Sequence, residues 1–329
     1  MNVLLTGGTG YIGSHTAVVL SQLGHQVVLY DNLSNSSDAV VDRLEEITGL
    51  HMLFVKGDVR DTELLRKTLS AHAIDAVIHF AGLKAVGESV QNPVEYFSCN
   101  VGGAITLLQA MAAANVKTLV FSSSATVYGE PQYLPLNESH PTRAINPYGR
   151  SKLHVEEILA DVAKSDSEWR IACLRYFNPV GAHESGLIGE MPNGIPNNLV
   201  PFIAQVAAGR QPVLEVFGND YPTKDGTGIR DYIHVMDLAD GHTAAITYLA
   251  THPGWCEFNL GTGRGYSVLE IISAFELACG RAIPYTFAPR RTGDVAQCYA
   301  NPEKARCELG WTAKRGLQEM CTSTWKFQF

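Results

Sequence analysis

The sequence has no run of Lys or Arg. Its 25 basic side chains stand against 33 acidic ones, a formal charge of −8, so neither duplex nucleic acid nor an anionic membrane finds an electrostatic footprint. An anionic ligand must therefore be small and held locally. There is no C-x-x-C pair: the seven cysteines, Cys99, Cys173, Cys256, Cys279, Cys298, Cys307 and Cys321, are scattered and odd in number, which argues against a disulfide framework and a zinc site. The apolar stretch at the N-terminus is four residues long and runs into a glycine loop, too short for a signal peptide or a membrane span. A cytoplasmic location is the expectation. Internal repeats, low-complexity tracts and polar linkers are also missing. What is there is a chain of 329 residues, 46% hydrophobic and 18% charged. At about 150 residues per domain that is about two domains' worth, enough for a sizeable core, and it excludes a disordered chain.

In the first half, short β-rich apolar runs at 3–6, 26–30, 52–55, 76–80, 118–122 and 171–174 alternate with amphipathic stretches. Near-continuous apolar strands separated by helices mean parallel strands covered on both faces. Helices are expected at 12–23, stopped by Gly24, and at 62–71, 93–114 and 148–164. The predicted class is α/β, with a doubly wound parallel sheet. Beyond about Asn178 the texture changes: Pro, Gly and Asn crowd into 178–201 and 218–228, between helical pieces at 199–208, 236–250 and 268–280. This predicts a domain over 1–177 and a smaller α/β, substrate-covering one over 178–329, with some later segments returning to the first and a cleft between the two.

The run Thr6-Gly7-Gly8-Thr9-Gly10-Tyr11-Ile12-Gly13 places Gly7, Gly10 and Gly13 between the first strand and the first helix. Glycines there make a tight turn, let backbone N–H groups approach a pyrophosphate, and let helix pack on strand. Alone the pattern is nearly as well explained by a structural turn. Asp31 strengthens it, lying 21 residues past Gly10 at the end of the second strand, where a carboxylate accepts from ribose hydroxyls and repels a 2′-phosphate. No Lys or Arg occurs from Asn32 to Asp42, so NAD is favoured over NADP. Asp58 suits the adenine edge, with a helix cap or turn before Thr62 an equal alternative. Phe80, Ala81 and Gly82 close the fourth strand and would line the cofactor, with Lys84 just beyond.

Tyr148 and Lys152 stand four residues apart, on one face of the helix that follows Pro147. A chance surface pair would be the default reading. Ser122, Ser123 and Ser124 at the C-terminal end of a parallel strand change it, because ligands bind there in this architecture. The chemistry suggested is alcohol oxidation: Tyr148 takes the hydroxyl proton, Ser124 shares the hydrogen bond, and Lys152 tunes the phenol and holds cofactor ribose. A phenol titrates near 10, so a base near neutrality needs about three units of depression, or about 4 kcal/mol, from neighbouring positive charge.

Together TGGTGYIG, Asp31, HFAGLKAVGES, SSSATVYG and YGRSK resemble the extended short-chain dehydrogenases/reductases. The second-half motifs RYFNPVGAH, GIPNNL, FGNDYPTKDGTGIRDYIHVMDLADGH and APRRTGD are similar to the UDP-glucose 4-epimerase branch, and the resemblance runs over essentially the whole chain. It implies a Rossmann-type domain holding NAD tightly, and a UDP-hexose oxidised at C4 to a 4-ketose that turns over and regains the hydride on its other face. It implies Tyr148 as base with Ser124 and Lys152; Tyr11, Ile12, Asp31, Asn32, Asn35, Ser36, Asp58, Val59, Phe80, Lys84 and Phe177 around NAD; and Asn178, Asn198, Leu199, Phe217, Arg230, Arg291 and Asp294 around the nucleotide. Arginines suit a diphosphate; for one of Arg290 and Arg291 a solvated surface role is expected. Cys99 stands where a cofactor-side asparagine is usual. The family also pairs the helices at 93–114 and 148–164 across a homodimer, to which Phe97, Val101, Leu108, Leu153, Ile158 and Val162 could contribute, although core packing explains most of them.

Cys298 lies four residues after the aspartate of Arg291-Thr292-Gly293-Asp294. In the resembling family this position borders the sugar near C2: bulky in members restricted to glucose and galactose, small in those that also take N-acetylated sugars. The expectation is acceptance of both pairs, provided Cys298 and not Tyr299 faces the pocket, since neighbours in an extended segment point to opposite faces. Two other readings compete. A nucleotide-sugar 4,6-dehydratase would need an Asp-Glu pair where Ala125 and Thr126 stand, and neither can protonate a leaving hydroxyl. A non-catalytic NAD sensor would have no need of a lysine-tuned phenol.

Overall fold

The computed structural model describes every residue except Pro192, Asn193, Ile195, Asn197, Thr292 and Phe329. In chain order its first part runs β1 (Asn2–Thr6), α1 (Tyr11–Gln22), β2 (Gln26–Asp31), α2 (Ala39–Thr48), β3 (Leu53–Lys56), α3 (Thr62–Ala71), β4 (Ala76–His79), α4 (Val86–Gln91), α5 (Pro93–Tyr96), a π-helical segment (Phe97–Gly102) and α6 (Gly103–Ala113). There follow β5 (Thr118–Ser124), α7 (Pro147–Ser165), β6 (Arg170–Tyr176), β7 (Asn178–Val180), α8 (Leu199–Ala207), β8 (Leu214–Phe217), β9 (Ile229–His234) and α9 (Val235–Leu249). The chain ends with β10 (Gly254–Leu260), β11 (Gly265–Ser267), α10 (Val268–Cys279), β12 (Tyr285–Ala288), β13 (Gln297–Cys298), α11 (Glu303–Glu308) and α12 (Leu317–Lys326).

Seven strands form one parallel sheet in the order β10-β6-β5-β4-β1-β2-β3. Alternate residues of each strand feed opposite cores. Leu5, Leu29, Ile78 and Val120 pack with Val18, Leu238, Ile246 and Trp311 on one face; Leu4, Val28, Val77 and Leu119 pack with Leu65, Leu107, Met111 and Leu159 on the other. Burial on both faces is why the strands read as unbroken apolar runs. The winding reverses between β1 and β4, which opens a crevice at their C-terminal ends, the place where doubly wound sheets bind ligands. A smaller sheet sets β9 between β11 and β13 with β7 also on β9, and β8 pairs with β12. Its core is built from Val200, Ile203, Val216, Tyr232, Ile271, Phe275 and Met320. Among the described residues no helix is long and apolar enough to cross a membrane.

The helix expected over 93–114 is continuous through 93–113 and contains a π turn at Phe97–Gly102. Gly102 closes that turn and Gly103 follows it, and glycines weaken a helix. The wide π turn swings Asn100 inward, where its amide accepts from Leu83 N (2.8 Å) and donates to Leu83 O (3.0 Å) and Ser151 Oγ (2.9 Å). Gly103 has a packing reason too, because a Cβ on it would sit 2.7 Å from Val59 Cγ2. The amphipathic pieces α2 and α4 were missing from the sequence expectation: both are short, with polar residues on most of their surface.

Candidate active site

Gly7 adopts φ +71°, and a Cβ there would come within 2.7 Å of Ala81 N; one on Gly13 would come within 2.3 Å of Gly7 O. The loop, β4's end and α1 thus approach each other to backbone distance. Gly10 caps α1 without a side chain, so the first amides of the helix are left for an anion, with the positive end of the helix dipole behind them. That cradle fits a dinucleotide pyrophosphate. Asp31, buried at the end of β2, accepts from Thr9 N (3.2 Å), Leu33 N (2.9 Å) and Ser36 Oγ (3.2 Å), which ties the glycine loop to the 32–36 turn where Asn32 and Asn35 are exposed.

Asp58 does not cap α3. Asp61 does, accepting from Leu64 N at 3.0 Å. Asp58 forms a two-pronged ion pair with Arg60 (2.9 and 3.0 Å) and accepts from Asn32 Nδ2 (2.9 Å). The guanidinium holds its carboxyl well below the ordinary value. Arg60 is a cation that the 32–42 window could not reveal, brought in from the next βα loop and balanced by Asp58 and Glu95. Cys99 lies close enough to feel Asp58 and Arg60, and burial pushes its thiol up. The Val59 side chain is buried beside Gly103.

Across the crevice the amides of Phe80 and Ala81 donate to Thr6 O (2.9 and 3.0 Å), and the Phe80 ring meets His242 at 4.7 Å. Gly82 lies against Asn100 and near the Lys152 ammonium. Lys84 ion-pairs with Glu190 (2.7 Å), which also accepts from Asn198 Nδ2 (2.9 Å). Tyr11 donates to Gly181 O at 2.7 Å, and burial, then Glu190, raises its phenol. Glu190 was missed by the sequence reading. It stands in a Pro/Gly-rich loop with no period to mark it, and only the fold brings it to Lys84.

Ser124 ends β5, and its Oγ accepts from Thr126 N (3.2 Å) and Thr126 Oγ1 (3.0 Å). Helix α7 starts at Pro147, capped by Asn146, which accepts from Gly149 N at 2.8 Å; that start sets Tyr148 close enough to Ser124 for the serine hydroxyl to favour the phenol's ionised form. One turn on, the buried Lys152 donates to Ser122 O (2.7 Å) and lies 4.9 Å from the centre of the Phe121 ring. Burial pushes Tyr148 above its ordinary value and Ser124 pulls it back, while burial pushes Lys152 down to about 8. Bringing the phenol toward neutrality calls for positive charge at the site.

Strand β9 carries Arg230, whose guanidinium donates to Ile229 O (2.9 Å) and sits 3.8 Å from Asp294. Arg291 stacks over Phe217 at 3.8 Å. Arg290, exposed like Arg291, is bound to Asp220 (2.7 Å) and covers Tyr221. Thr292 of the same motif lies outside the described residues, as do Ile195 and Asn197 of GIPNNL. Asn198 and Leu199 stand at the start of α8, and Asn178, exposed, at the start of β7. Cys298 on β13 pairs with Arg230 of β9. It packs on the cluster of Val127, Tyr128, Leu136, Phe177 and Ala300, on which Ala125 and Leu153 also pack. Tyr299 turns the other way, toward Gly265.

A doubly wound parallel sheet with a glycine loop after β1 and a Ser-Tyr-Lys trio spanning β5 and α7 defines an extended short-chain dehydrogenase/reductase. Residues 4–324 match the family described as GDP-mannose 4,6 dehydratase. A UDP-glucose 4-epimerase of Bacillus subtilis is 56% identical, covering 100% of this chain and 97% of its own. Two solved structures match throughout. The UDP-glucose-4-epimerase of Stenotrophomonas maltophila, with bound NAD and formylated UDP-arabinopyranose, has TM-score 0.98 and 55% identity, covering 100% of this chain and 98% of its own. The UDP-glucose 4-epimerase of Bifidobacterium longum, in complex with NAD+ and UDP, has TM-score 0.97 and 52% identity over the same shares. The chain belongs to the UDP-glucose 4-epimerase family.

Proposed function

We propose that this protein is an NAD-dependent UDP-hexose 4-epimerase that interconverts UDP-glucose with UDP-galactose, and UDP-N-acetylglucosamine with UDP-N-acetylgalactosamine. The observation that carries the reading is that Ser124 at the end of β5 and Tyr148 and Lys152 on α7 come together, with the Lys152 ammonium beside Gly82, next to the Ala81 backbone that Gly7 approaches. Gly7, Gly10, Tyr11, Ile12 and Gly13 would hold the pyrophosphate of NAD, and Asp31 with Asn32, Asn35 and Ser36 its adenosine ribose. Asp58, Val59, Phe80, Ala81, Gly82, Lys84 and Phe177 complete the cofactor side. NAD bound there supplies a hydride acceptor at C4 of the sugar and gives the hydride back. Tyr148 takes the C4 hydroxyl proton as the hydride leaves and returns it to the keto oxygen in the second half, with Ser124 holding that oxygen and Lys152 the cofactor ribose. Asn178, Asn198, Leu199, Phe217, Arg230, Arg291 and Asp294 anchor the UDP, so the 4-ketose turns over without leaving.

A 4,6-dehydratase is disfavoured at this site. The residues after Ser124 are Ala125 and Thr126, and the Thr126 hydroxyl is committed to Ser124. The decisive experiment is to denature the purified protein, look for released NAD, and incubate the native protein with UDP-galactose and no added cofactor. UDP-glucose formed without added NAD is the expected result; no bound dinucleotide and no product would overturn the reading.

Acceptance of the acetylated pair rests on Cys298, whose thiol leaves the room an aromatic ring would fill. Cys298→Tyr should lose most activity on UDP-N-acetylglucosamine and keep the plain pair, and a wild type inert toward UDP-N-acetylglucosamine would end the idea. Two further features complete the proposal. Val90, Val94 and Ile105 on α4, α5 and α6 expose 63%, 81% and 41% of their surface, which supports a homodimer through these helices. The seven cysteines are all unpaired, which suits the reducing cytoplasm.

A further inference from the structure

Behind the trio lies a buried polar network that the mechanism above does not use. Glu156, one turn beyond Lys152 on α7, is buried, as is Arg175 on β6. The two meet in a forked pair, Arg175 Nη2 to Glu156 Oε2 at 2.7 Å and Arg175 Nε to Glu156 Oε1 at 3.1 Å. The free side of the carboxylate accepts from the Ser123 hydroxyl. Arg175 also donates to the Tyr128 hydroxyl (3.1 Å), which donates to Asn259 Oδ1 (2.7 Å) on β10. Every member is satisfied, which makes such a network rigid.

Ser123 and Ser124 point to opposite faces of β5, as successive strand residues do. The end of the strand is therefore held at Ser123 by the same helix face that carries Tyr148, Lys152 and Glu156 at successive turns. We propose that Glu156 is a positioning residue of the active site: through Ser123 and Arg175 it locks the end of β5 to α7, fixing Ser124 against Tyr148 and setting a carboxylate one turn behind Lys152. This rests on the epimerase reading.

A purely structural ion pair would affect folding alone, whereas this one has an electrostatic consequence. The groups that face Lys152 are Tyr148 and Glu156 on its own helix, Cys99 from the π-helical segment, Cys173 and Arg175 from β6, and His79 from β4. Glu156 is the only carboxylate among them. It favours the ammonium, against the burial that pushes Lys152 down to about 8. Removing its charge leaves Arg175 uncompensated, so Lys152 loses its proton at lower pH.

The test is kcat and KM for UDP-galactose against pH, with the proteins as purified with their NAD, for wild type, Glu156→Gln and Glu156→Asp. An active wild type is the precondition, and its inactivity would sink the epimerase reading rather than this one. In Glu156→Gln the alkaline limb should move down by about half a pH unit or more, and kcat should fall about tenfold with KM within about twofold, as expected of lost alignment. Glu156→Asp, which keeps the charge, should keep the limb. A folded Glu156→Gln protein with lower thermal stability but an unmoved limb overturns the proposal. Should that variant not fold, Ser123→Ala decides: lower kcat at unchanged KM supports the lock, and wild-type kcat overturns it.

Discussion

At the scale of single residues, the site rests on a phenol that its surroundings push the wrong way for a base. Burial raises Tyr148 and Ser124 offsets part of it, so positive charge at the site, from Lys152 and from the bound cofactor, has to do the rest. Tyr148→Phe should lower turnover by a factor on the order of a hundred or more, the scale of a lost general base, while the protein still folds and retains NAD; a loss under about threefold would remove Tyr148 from that role. Lys152→Ala should raise the acid limb of the pH profile, because less positive charge then faces the phenol, and abolish the alkaline limb that Lys152 itself provides. These residues were legible because their chemistry is written in spacing: four residues between Tyr148 and Lys152, a serine at a strand end, an aspartate after the second strand. Glu190 and Arg60 were not. Each acts on a partner that only tertiary folding delivers, Lys84 across 106 residues and Glu95 across 35.

At the scale of elements, six of the seven strands of the large sheet were readable to within two residues, because burial on both faces leaves an apolar run with nothing else to explain it; β10, half-exposed over its first four residues, and the short strands of the smaller sheets were not. The helix over 93–114 was readable too, but not the π turn inside it, which has no periodicity of its own. The π turn matters for function. It turns Asn100 inward to hold Leu83, the residue before Lys84, and Ser151, whose hydroxyl in turn donates to Tyr148 O at 2.7 Å. One amide therefore ties a cofactor-side loop to the catalytic helix. Asn100→Ala strands the half-buried Leu83 amide and carbonyl, at about 1–3 kcal/mol for each unsatisfied group. A total of about 2–6 kcal/mol would lower Tm by roughly 1.5 °C per kcal/mol in a chain of this size. Retained NAD should fall in parallel, and a variant with wild-type Tm and full NAD content would show that the loop holds itself.

At the scale of the whole molecule, the two wings of the sheet meet between β1 and β4, and the ground beneath that seam is built from neutral histidines. His79 on β4 bonds Thr6 of β1 at 2.6 Å; His15 on α1 donates to Tyr11 O (2.6 Å); His242 on α9 bonds the Tyr176 hydroxyl; His234 caps α9 and meets Ser323 of α12 at 3.0 Å. Nothing in the sequence set these four apart from the other histidines, because burial is a property of the finished fold. Burial is also the main reason each is pushed down to about 3, against about 6.5 in an unfolded chain. The native state therefore binds fewer protons than the unfolded one between those values. The stability these groups contribute is fully present above about pH 6.5 and is lost as pH falls toward 3, with a slope of up to about 1.4 kcal/mol per pH unit for each histidine. Their seat under the seam means that acid should loosen the cofactor crevice along with the fold. Urea midpoints measured at pH 7.5, 6 and 5 should fall steeply below pH 6.5, with NAD released over the same range. A midpoint unchanged between pH 7.5 and 5 would mean that these side chains take up their protons without leaving their partners.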